Sequence, residues 1–240
     1  MLRDRLSQYV ASGRESVASQ KMLQIIDHVQ GLDVKCILDV GSWHLKQSIE
    51  FLNAFPDAQV HAFEPAPDNY TLCKNTHMYM PKAERDRLKV YNVAIGDTNG
   101  PIDFYVIDET QGDSNAGAAS KFKFKPGMNG SFYNQNWVQK PVTVNQYRLD
   151  DFVPRYINMP VDILWIDVQG SELFAFKGAE QTLKDTKLIF TEVGLQAYYE
   201  GQSLKPQIDE FLGNLGFTEI TEAFELNGFE YEGNTVYKRT

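Results

Sequence analysis

The sequence predicts an α/β fold in which a mostly parallel sheet carries helices on both faces and ends in an antiparallel hairpin. Apolar runs at residues 36–40 and 59–63 flank a segment with helical spacing, and such runs are most simply joined as a right-handed parallel βαβ unit. The run at 162–166 is almost continuously apolar, as in a central strand covered on both faces. Strand-like runs at 217–224 and 235–238 flank an Asn-Gly turn, which predicts the terminal hairpin.

Length and composition set bounds on the class of protein. With 240 residues and 42% hydrophobic content, one domain spanning residues 1–240 is expected to bury a sizeable core. The net charge of -9 disfavours general binding to nucleic acid or anionic membranes. Because the chain has neither an apolar stretch of roughly 20 residues nor the apolar core of a signal peptide near its start, we expect a cytoplasmic protein without membrane insertion.

The first half of the chain is predicted to alternate helices and strands. Residues 1–35 carry apolar stripes at helical spacing and are predicted to form N-terminal helices. Residues 42–55 form the predicted crossover helix, and Pro67 starts the next helix. A third strand is predicted over residues 88–95, where an apolar run stops at a Gly-Asp turn.

An inserted hairpin or lid region is predicted at residues 98–150. Residues 101–107 alternate as an exposed strand does, and 141–144 form a second strand. Between them, residues 108–136 are rich in Gly, Ser, Asn and Lys, with aromatic residues interleaved. This composition fits a solvated edge hairpin, and the alternative is a flap that contacts substrate.

The second half predicts two further βα units. A helix is expected after the strand at 162–166, followed by a short strand at 187–190. Apolar residues between Ile208 and Leu215 then line a helix that ends at Gly216.

Cysteine and histidine usage predicts neither disulfides nor a zinc site. Cys36 lies in a predicted buried strand and Cys73 in a predicted helix, so both are expected to be reduced packing residues. The four histidines are scattered, without an HxxxH or HxH pair.

The predicted βαβ unit at residues 36–64 indicates a nucleotide-type cofactor without phosphate. Glu64 ends the second strand, 23 residues after Gly41, where an acid accepts hydrogen bonds from a ribose diol. A nicotinamide dinucleotide needs a Gly-x-Gly-x-x-Gly turn for its pyrophosphate, but residues 41–46 retain only the first glycine. S-adenosylmethionine contains a ribose and no phosphate, so one tight turn and one acid suffice.

Several motifs resemble those of the FkbM family of S-adenosylmethionine-dependent methyltransferases. They lie at residues 37–41, 63–69, 92–97, 166–172 and 173–179. The resemblance implies a Rossmann-like class I methyltransferase fold with a mostly parallel seven-stranded sheet and an antiparallel C-terminal hairpin. Two departures stand out: the family's usual DVGAxxG turn reads Asp39-Val40-Gly41-Ser42-Trp43-His44-Leu45, and its usual DVEG has Gln169 in place of the glutamate.

The resemblance implies a cofactor site for S-adenosyl-L-methionine. Asp39, Gly41 and Ser42 are expected at its methionine end, with backbone groups of the last two contacting the amino-acid part. Glu64 is expected at the ribose, Pro65 against the adenine and Ala94 at the far wall of the adenine pocket. Alternatively, Asp39 caps the following helix and Glu64 is a surface acid. The predicted cofactor-binding residues are Asp39, Gly41, Ser42, Glu64, Pro65, Ala94 and Asp167.

The candidate catalytic residues follow from the chemistry of methyl transfer to a hydroxyl, which needs an aligned oxygen and a proton acceptor. Asp167, after the fourth strand of the sheet, is the first candidate, Glu192 is the second and His44 the third. Glu172 is predicted to start a helix as an N-terminal carboxylate. An alternative gathers a divalent cation on Asp167, Glu172 and Glu192, although carboxylates at neighbouring strand ends are common without metal, and no metal site is predicted.

The predicted function is O-methylation of a hydroxyl on a carbohydrate, glycolipid or secondary metabolite, a substrate class that the resemblance alone implies. The partner is therefore a small molecule or glycan, and the oligomeric state is left open. Aromatic candidates for stacking on a sugar ring are Tyr133, Trp137, Tyr198 and Tyr199. The alternatives are a catalytically silent methyltransferase-fold domain that binds a partner, and an NAD-dependent sugar-modifying enzyme.

Overall fold

The computed structural model describes residues 28–29, 32–111, 115–126, 137–221 and 231–240. Most of the predicted N-terminal helical region, Tyr133 and the predicted Asn-Gly turn of the terminal hairpin lie outside these residues.

Ten strands and six α-helices are found in the described part of the chain, together with short 3-10 and π turns. The strands are β1 (Cys36–Val40), β2 (Gln59–Phe63), β3 (Leu88–Tyr91), β4 (Ala94–Ile95), β5 (Gly100–Ile107), β6 (Gln139–Tyr147), β7 (Ile163–Ile166), β8 (Leu188–Gly194), β9 (Phe217–Glu219) and β10 (Glu232–Arg239). The helices are α1 (Lys46–Ala54), α2 (Pro67–Tyr79), α3 (Lys82–Arg85), α4 (Leu149–Phe152), α5 (Glu172–Lys177) and α6 (Lys205–Asn214).

The main sheet has seven strands in the order β3-β2-β1-β7-β8-β10-β9. Strands β3, β2, β1, β7 and β8 pair in parallel, and β10 lies antiparallel between β8 and β9. The mostly parallel seven-stranded sheet with an antiparallel C-terminal pair is therefore confirmed. The order reverses between β1 and β7, and ligands of open α/β sheets bind at such a switch point, outside the carboxyl ends of the strands.

The predicted third strand is broken, and its two parts belong to different sheets. Leu88–Tyr91 form β3 of the main sheet, whereas Ala94–Ile95 form β4 of a three-stranded sheet in the order β4-β6-β5. At the break, the Asn92 side chain donates hydrogen bonds to the carbonyls of Glu64 and Pro65, 2.9 and 3.1 Å away. An apolar run does not reveal that its pairing partner changes midway, so the prediction of one continuous strand was wrong.

Two apolar clusters cover the two faces of the main sheet, because neighbouring strand residues point to opposite sides. Ile37 packs in one cluster and Leu38 in the other. In the first, the ring of Trp165 stacks on that of Phe190 with centroids 3.7 Å apart. Both faces are therefore covered, as the continuous apolar strands predict. None of the helices within the described ranges combines the length and the apolar character needed to cross a bilayer.

Gly41 allows the carboxyl ends of β1 and β7 to approach closely. Its φ is 88°, and a Cβ at this position would lie 1.7 Å from the carbonyl oxygen of Asp167.

We expect Gly41→Ala to lower the free energy of unfolding by about 3 kcal/mol, because backbone must move to relieve the overlap. Urea unfolding measures this loss, with Gly100→Ala as the control. Gly100 also has a positive φ, 125°, but a Cβ there would meet open space, so its variant carries the backbone strain without the clash. If the two variants lose the same free energy of unfolding, the clash at Gly41 does not contribute.

Candidate active site

A cavity of about 180 Å³ lies at the carboxyl ends of the parallel strands. Its walls include Gly41 and Glu64 after β1 and β2, Ala94 of the small sheet and Asp167 after β7. Residues 115–117, 119 and 121 form another wall. The cavity therefore brings together residues that are more than 120 positions apart in the chain.

Glu64 is held by the backbone at the cavity wall. Its Oε2 accepts a hydrogen bond from the Trp43 N–H at 2.8 Å, and its Oε1 accepts one from the Ala66 N–H at 2.9 Å. Burial raises the pKa of the Glu64 carboxyl to about 7, against the lowering effect of these hydrogen bonds. Since each carboxylate oxygen has two lone pairs, both retain acceptor capacity for the hydroxyls of a ribose.

The three residues predicted at the methionine end of the cofactor make hydrogen bonds within the protein. They are Gly41, Ser42 and Asp39. The amide N–H groups of Gly41 and Ser42 both donate to the carbonyl of Phe63, at 3.0 and 3.1 Å. Asp39 is fully buried, accepts a hydrogen bond from the Ser48 hydroxyl and is not among the cavity-lining residues. Of these three predicted residues, Gly41 alone lines the cavity.

The turn after β1 contains two non-glycine residues in left-handed conformation, Trp43 with φ 46° and Leu45 with φ 67°. Leu45 occupies the position of the second glycine in the DVGAxxG pattern, so the backbone keeps the conformation for which glycine is favoured. Its side chain is fully buried in the core, which offsets the strain. Trp43 lines the cavity and is 41% exposed.

Asp167 and Glu192 are joined through a side chain between them. Asp167 lines the cavity, and its backbone N–H donates to the Val40 carbonyl at 2.9 Å. The Gln169 Nε2 donates to Asp167 Oδ1 at 2.7 Å and to Glu192 Oε2 at 2.8 Å. The first two catalytic candidates therefore belong to one hydrogen-bonded group, although Glu192 itself does not line the cavity.

The third catalytic candidate, His44, is not among the cavity-lining residues. Its ring stacks on Trp43 with centroids 4.2 Å apart, and its Nδ1 is buried without a hydrogen-bond partner. Burial lowers the pKa of His44, and Lys46 lowers it further. The structure therefore places His44 against Trp43 and off the cavity wall.

Residues 115–126 pack against the rest of the fold, and several of them line the cavity. The Asn69 side chain donates to the Ala116 carbonyl at 3.2 Å, and the Ser120 hydroxyl donates to the Gln169 carbonyl at 2.7 Å. The predicted stacking residues Trp137, Tyr198 and Tyr199 are buried packing residues instead, each exposed by 4% or less.

Two buried glutamates lie close to Asp167. Glu172 starts α5, as predicted, and its Oε1 accepts hydrogen bonds from the N–H groups of Val168 and Gly170. Burial, with a contribution from Asp167, raises the pKa of Glu172 to about 7. Burial also raises the pKa of Glu232, on β10, to about 8, and the charges of Asp167 and Glu172 add to this effect.

These raised pKa values predict that stability falls as the pH rises. The folded protein binds more protons than the unfolded chain above about pH 4.5, so the contribution of these groups is lost as the pH passes about 7 to 8. We expect urea unfolding to give a lower free energy of unfolding at pH 8.5 than at pH 5.5. Glu232→Gln should recover on the order of 2 kcal/mol at pH 8.5. The exposed-site control Glu200→Gln should recover none, and a wild-type stability that rises over this range would contradict the prediction.

Within the described residues, no group of three or more His, Cys, Asp and Glu side chains is arranged to hold a metal ion. Glu172 faces backbone amides and the amide of Gln169 lies between Asp167 and Glu192, so these three carboxylates do not converge on one point.

Sequence reasoning assigned no role to several residues at this site. Gln169 replaces the glutamate of the usual DVEG motif. This departure from the family pattern was the signal in the sequence that could have indicated a role for Gln169. Glu232 had no local signal, because it reaches the site through the pairing of β10 with β8. Trp43 had no predicted role, and it forms part of the cavity wall.

The family model of the methyltransferase FkbM domain matches residues 40–219. The chain is also 32% identical over 202 residues to the 2-O-methyltransferase NoeI of Sinorhizobium fredii (strain NBRC 101917 / NGR234), an alignment that covers 84% of this chain and 80% of that protein.

Solved structures with a similar fold include the magnesium protoporphyrin IX methyltransferase ChlM from Synechocystis PCC 6803 with bound SAM. It has a TM-score of 0.50 and 9% identity, covering 95% of this chain and 86% of that one. The methyltransferase domain of bacterial CtHen1 also has a TM-score of 0.50 and 9% identity, covering 93% and 100%. The fold is thus that of class I methyltransferases, and the family match together with the NoeI identity shows that the chain belongs to the FkbM methyltransferase family.

Proposed function

We propose that this methyltransferase uses S-adenosyl-L-methionine to methylate a hydroxyl of a carbohydrate, glycolipid or secondary metabolite, within one domain spanning residues 1–240. The observation that carries the proposal is the cavity that joins Glu64 at one wall to Asp167 at another. The similarity to a 2-O-methyltransferase favours a hydroxyl acceptor.

The cavity residues suit a cofactor that has a ribose and lacks phosphate. Glu64 offers carboxylate oxygens to a diol, and Pro65 and Ala94 supply apolar wall beside it. Lys121 is the single cation lining the cavity among the described residues, and its Nζ already lies 3.3 Å from Asp97 Oδ1 and 4.4 Å from the Phe174 ring centroid. The N–H groups of Gly41 and Ser42, at the turn where a dinucleotide's pyrophosphate would bind, both donate to the Phe63 carbonyl, which supports S-adenosylmethionine over a dinucleotide.

The chain's own residues contribute orientation and proton transfer. S-adenosylmethionine, when bound, supplies a methyl group attached to a sulfonium. Glu64 would hold the ribose hydroxyls, and Gly41 leaves the space in which β1 and β7 meet at the cavity. Asp167 would orient the acceptor hydroxyl and take its proton as the oxygen becomes methylated. Residues 115–121 would limit the access of water to this group.

Calorimetric titration with S-adenosylhomocysteine and with NAD tests the cofactor assignment. We expect S-adenosylhomocysteine to bind with a dissociation constant on the order of 1 μM, about −8 kcal/mol. We expect no binding of NAD, because residues 41–46 lack the glycines that a pyrophosphate needs. Binding of NAD alone would overturn the methyltransferase proposal, and binding of neither would favour a silent domain.

A screen with methyl-labelled S-adenosylmethionine tests the acceptor class. Methyl glycosides of common hexoses and deoxyhexoses serve as acceptors, each paired with its 2-deoxy analogue. Label transfer to a glycoside and not to its 2-deoxy partner would support 2-O-methylation of a sugar. Transfer to amine or thiol acceptors alone would contradict O-methylation.

A further inference from the structure

The side-chain amide of Gln169 connects three groups at the cavity. Its Nε2 lies 2.7 Å from Asp167 Oδ1 and 2.8 Å from Glu192 Oε2, and its Oε1 lies 3.0 Å from the Tyr199 hydroxyl. An amide nitrogen has two hydrogens, so each carboxylate receives one. Asp167 and Glu192 stand side by side because the residues before them, Ile166 and Thr191, are paired in register on β7 and β8.

The chemistry of the neighbours fixes the orientation of this amide. A flipped amide would place its oxygen against two carboxylates, which are acceptors and repel it at such distances. In the orientation observed, the amide stabilises both carboxylates and separates two like charges at adjacent strand ends. A glutamate, the usual residue of the family motif, would add a third carboxylate at this point.

The backbone of Gln169 is also held from outside its own turn. Its φ of 52° is left-handed, a conformation that costs a residue with a side chain about 1 kcal/mol. The carbonyl of Gln169 accepts a hydrogen bond from the Ser120 hydroxyl at 2.7 Å. The Tyr199 hydroxyl lies 3.1 Å from the Ala118 carbonyl, and the Tyr199 ring stacks on Phe124. Residues 118–124 therefore brace the turn that presents the amide.

We propose that Gln169 is the positioning residue of the transfer centre, holding Asp167 and Glu192 as one unit whose geometry is set by Tyr199 and by residues 118–124. The proposal rests on the proposed function, in which Asp167 takes the acceptor proton. The glutamine that replaces the glutamate of the family motif thereby has a role of its own, which is to position the two neighbouring carboxylates.

Nuclear magnetic resonance of protein with ¹⁵N-labelled glutamine tests the bridge without any reaction. The side-chain signal of Gln169, identified by its loss in Gln169→Met, is expected with both amide protons downfield, because both are bound to carboxylates. Asp167→Asn should move one of the two protons upfield and Glu192→Gln the other. The exposed Gln181 supplies the control signal, whose chemical shift should not change with either substitution.

Steady-state kinetics with the methyl glycoside that accepts label in the screen tests the positioning role. Gln169→Met should lower kcat at least 10-fold, since misplacing an aligned group costs this much or more. Its KM for S-adenosylmethionine and its affinity for S-adenosylhomocysteine should stay within about 3-fold. Tyr199→Phe, which keeps the ring and removes the hydroxyl, should give a smaller loss of the same kind, and Gln181→Leu should match the wild type.

The outcomes separate this proposal from the proposed function. Wild-type protein that binds no S-adenosylhomocysteine and transfers no label contradicts the proposed function, whereas the amide signals still decide whether the bridge exists. If the chemical shifts of the Gln169 amide protons are the same in Asp167→Asn and in Glu192→Gln as in the wild type, the hydrogen-bonded bridge does not exist. An unchanged kcat in Gln169→Met would overturn the positioning role, and if that variant does not fold, an unchanged kcat in Tyr199→Phe would do so.

Discussion

Replacing Glu64 by alanine is expected to weaken the binding of S-adenosylhomocysteine about 100-fold. Hydrogen bonds to a charged acceptor contribute about 1.5 to 3 kcal/mol each, so losing those to a ribose diol accounts for at least this factor. The Trp43 and Ala66 N–H groups, which donate to Glu64, lose their acceptor as well. Calorimetric titration of the wild type and the variant measures the effect.

Two further variants make this result specific to the carboxylate. Glu180→Ala removes an exposed carboxylate away from the cavity and should leave the affinity unchanged. Glu64→Gln keeps the shape of the side chain, so it should fold and still bind at least 10-fold more weakly. Wild-type affinity in both Glu64 variants would remove the ribose assignment.

Asp167→Asn is expected to lower kcat for methyl transfer by about 10² to 10⁴, the range ascribed to general base catalysis. The asparagine keeps the size of the side chain, and its carbonyl oxygen can still accept the hydrogen bond that Gln169 donates. The variant should therefore bind S-adenosylhomocysteine within about 3-fold of the wild type while it fails to take the acceptor proton. Transfer of labelled methyl under saturating cofactor measures the change.

Glu192→Gln is the matched comparison for this result, since Glu192 shares the Gln169 amide without lining the cavity. If Asp167 takes the proton, Glu192→Gln has the smaller effect on kcat. Transfer that survives Asp167→Asn undiminished would rule Asp167 out as the base, and a larger loss in Glu192→Gln would move that role to Glu192.

The strands could be predicted because buried parallel strands are apolar in continuous runs. Cys36–Val40 and Gln59–Phe63 were bounded correctly by the turn residues that follow them. The predicted strand at residues 88–95 failed at Asn92, where the polar side chain binds the Glu64 and Pro65 carbonyls and the chain leaves the main sheet. Such a change of partner depends on contacts distant in sequence, which local periodicity does not report.

The positions of two candidate site residues could likewise be predicted from the sequence, because each follows a parallel strand. Glu64 and Asp167 follow β2 and β7, and both line the cavity. The resemblance placed Asp39 at the methionine end of the cofactor, and His44 was the third catalytic candidate, but neither lines the cavity. Asp39 is fully buried, and His44 stacks on Trp43, which has left-handed backbone. A side chain's direction depends on local backbone conformation, which the sequence of that turn did not indicate.

By itself, the sequence indicated most of the strands and helices and the family, and it favoured a cofactor without phosphate, because these inferences follow from local apolar periodicity, glycine positions and motif spacing. The tertiary structure alone decided which polar groups meet. It brought Glu232 near Asp167 through β10, set Ser120 against Gln169 and placed one amide between two carboxylates. The physical reason is that these contacts join residues from separate strands and loops, so they exist only after the sheet has paired.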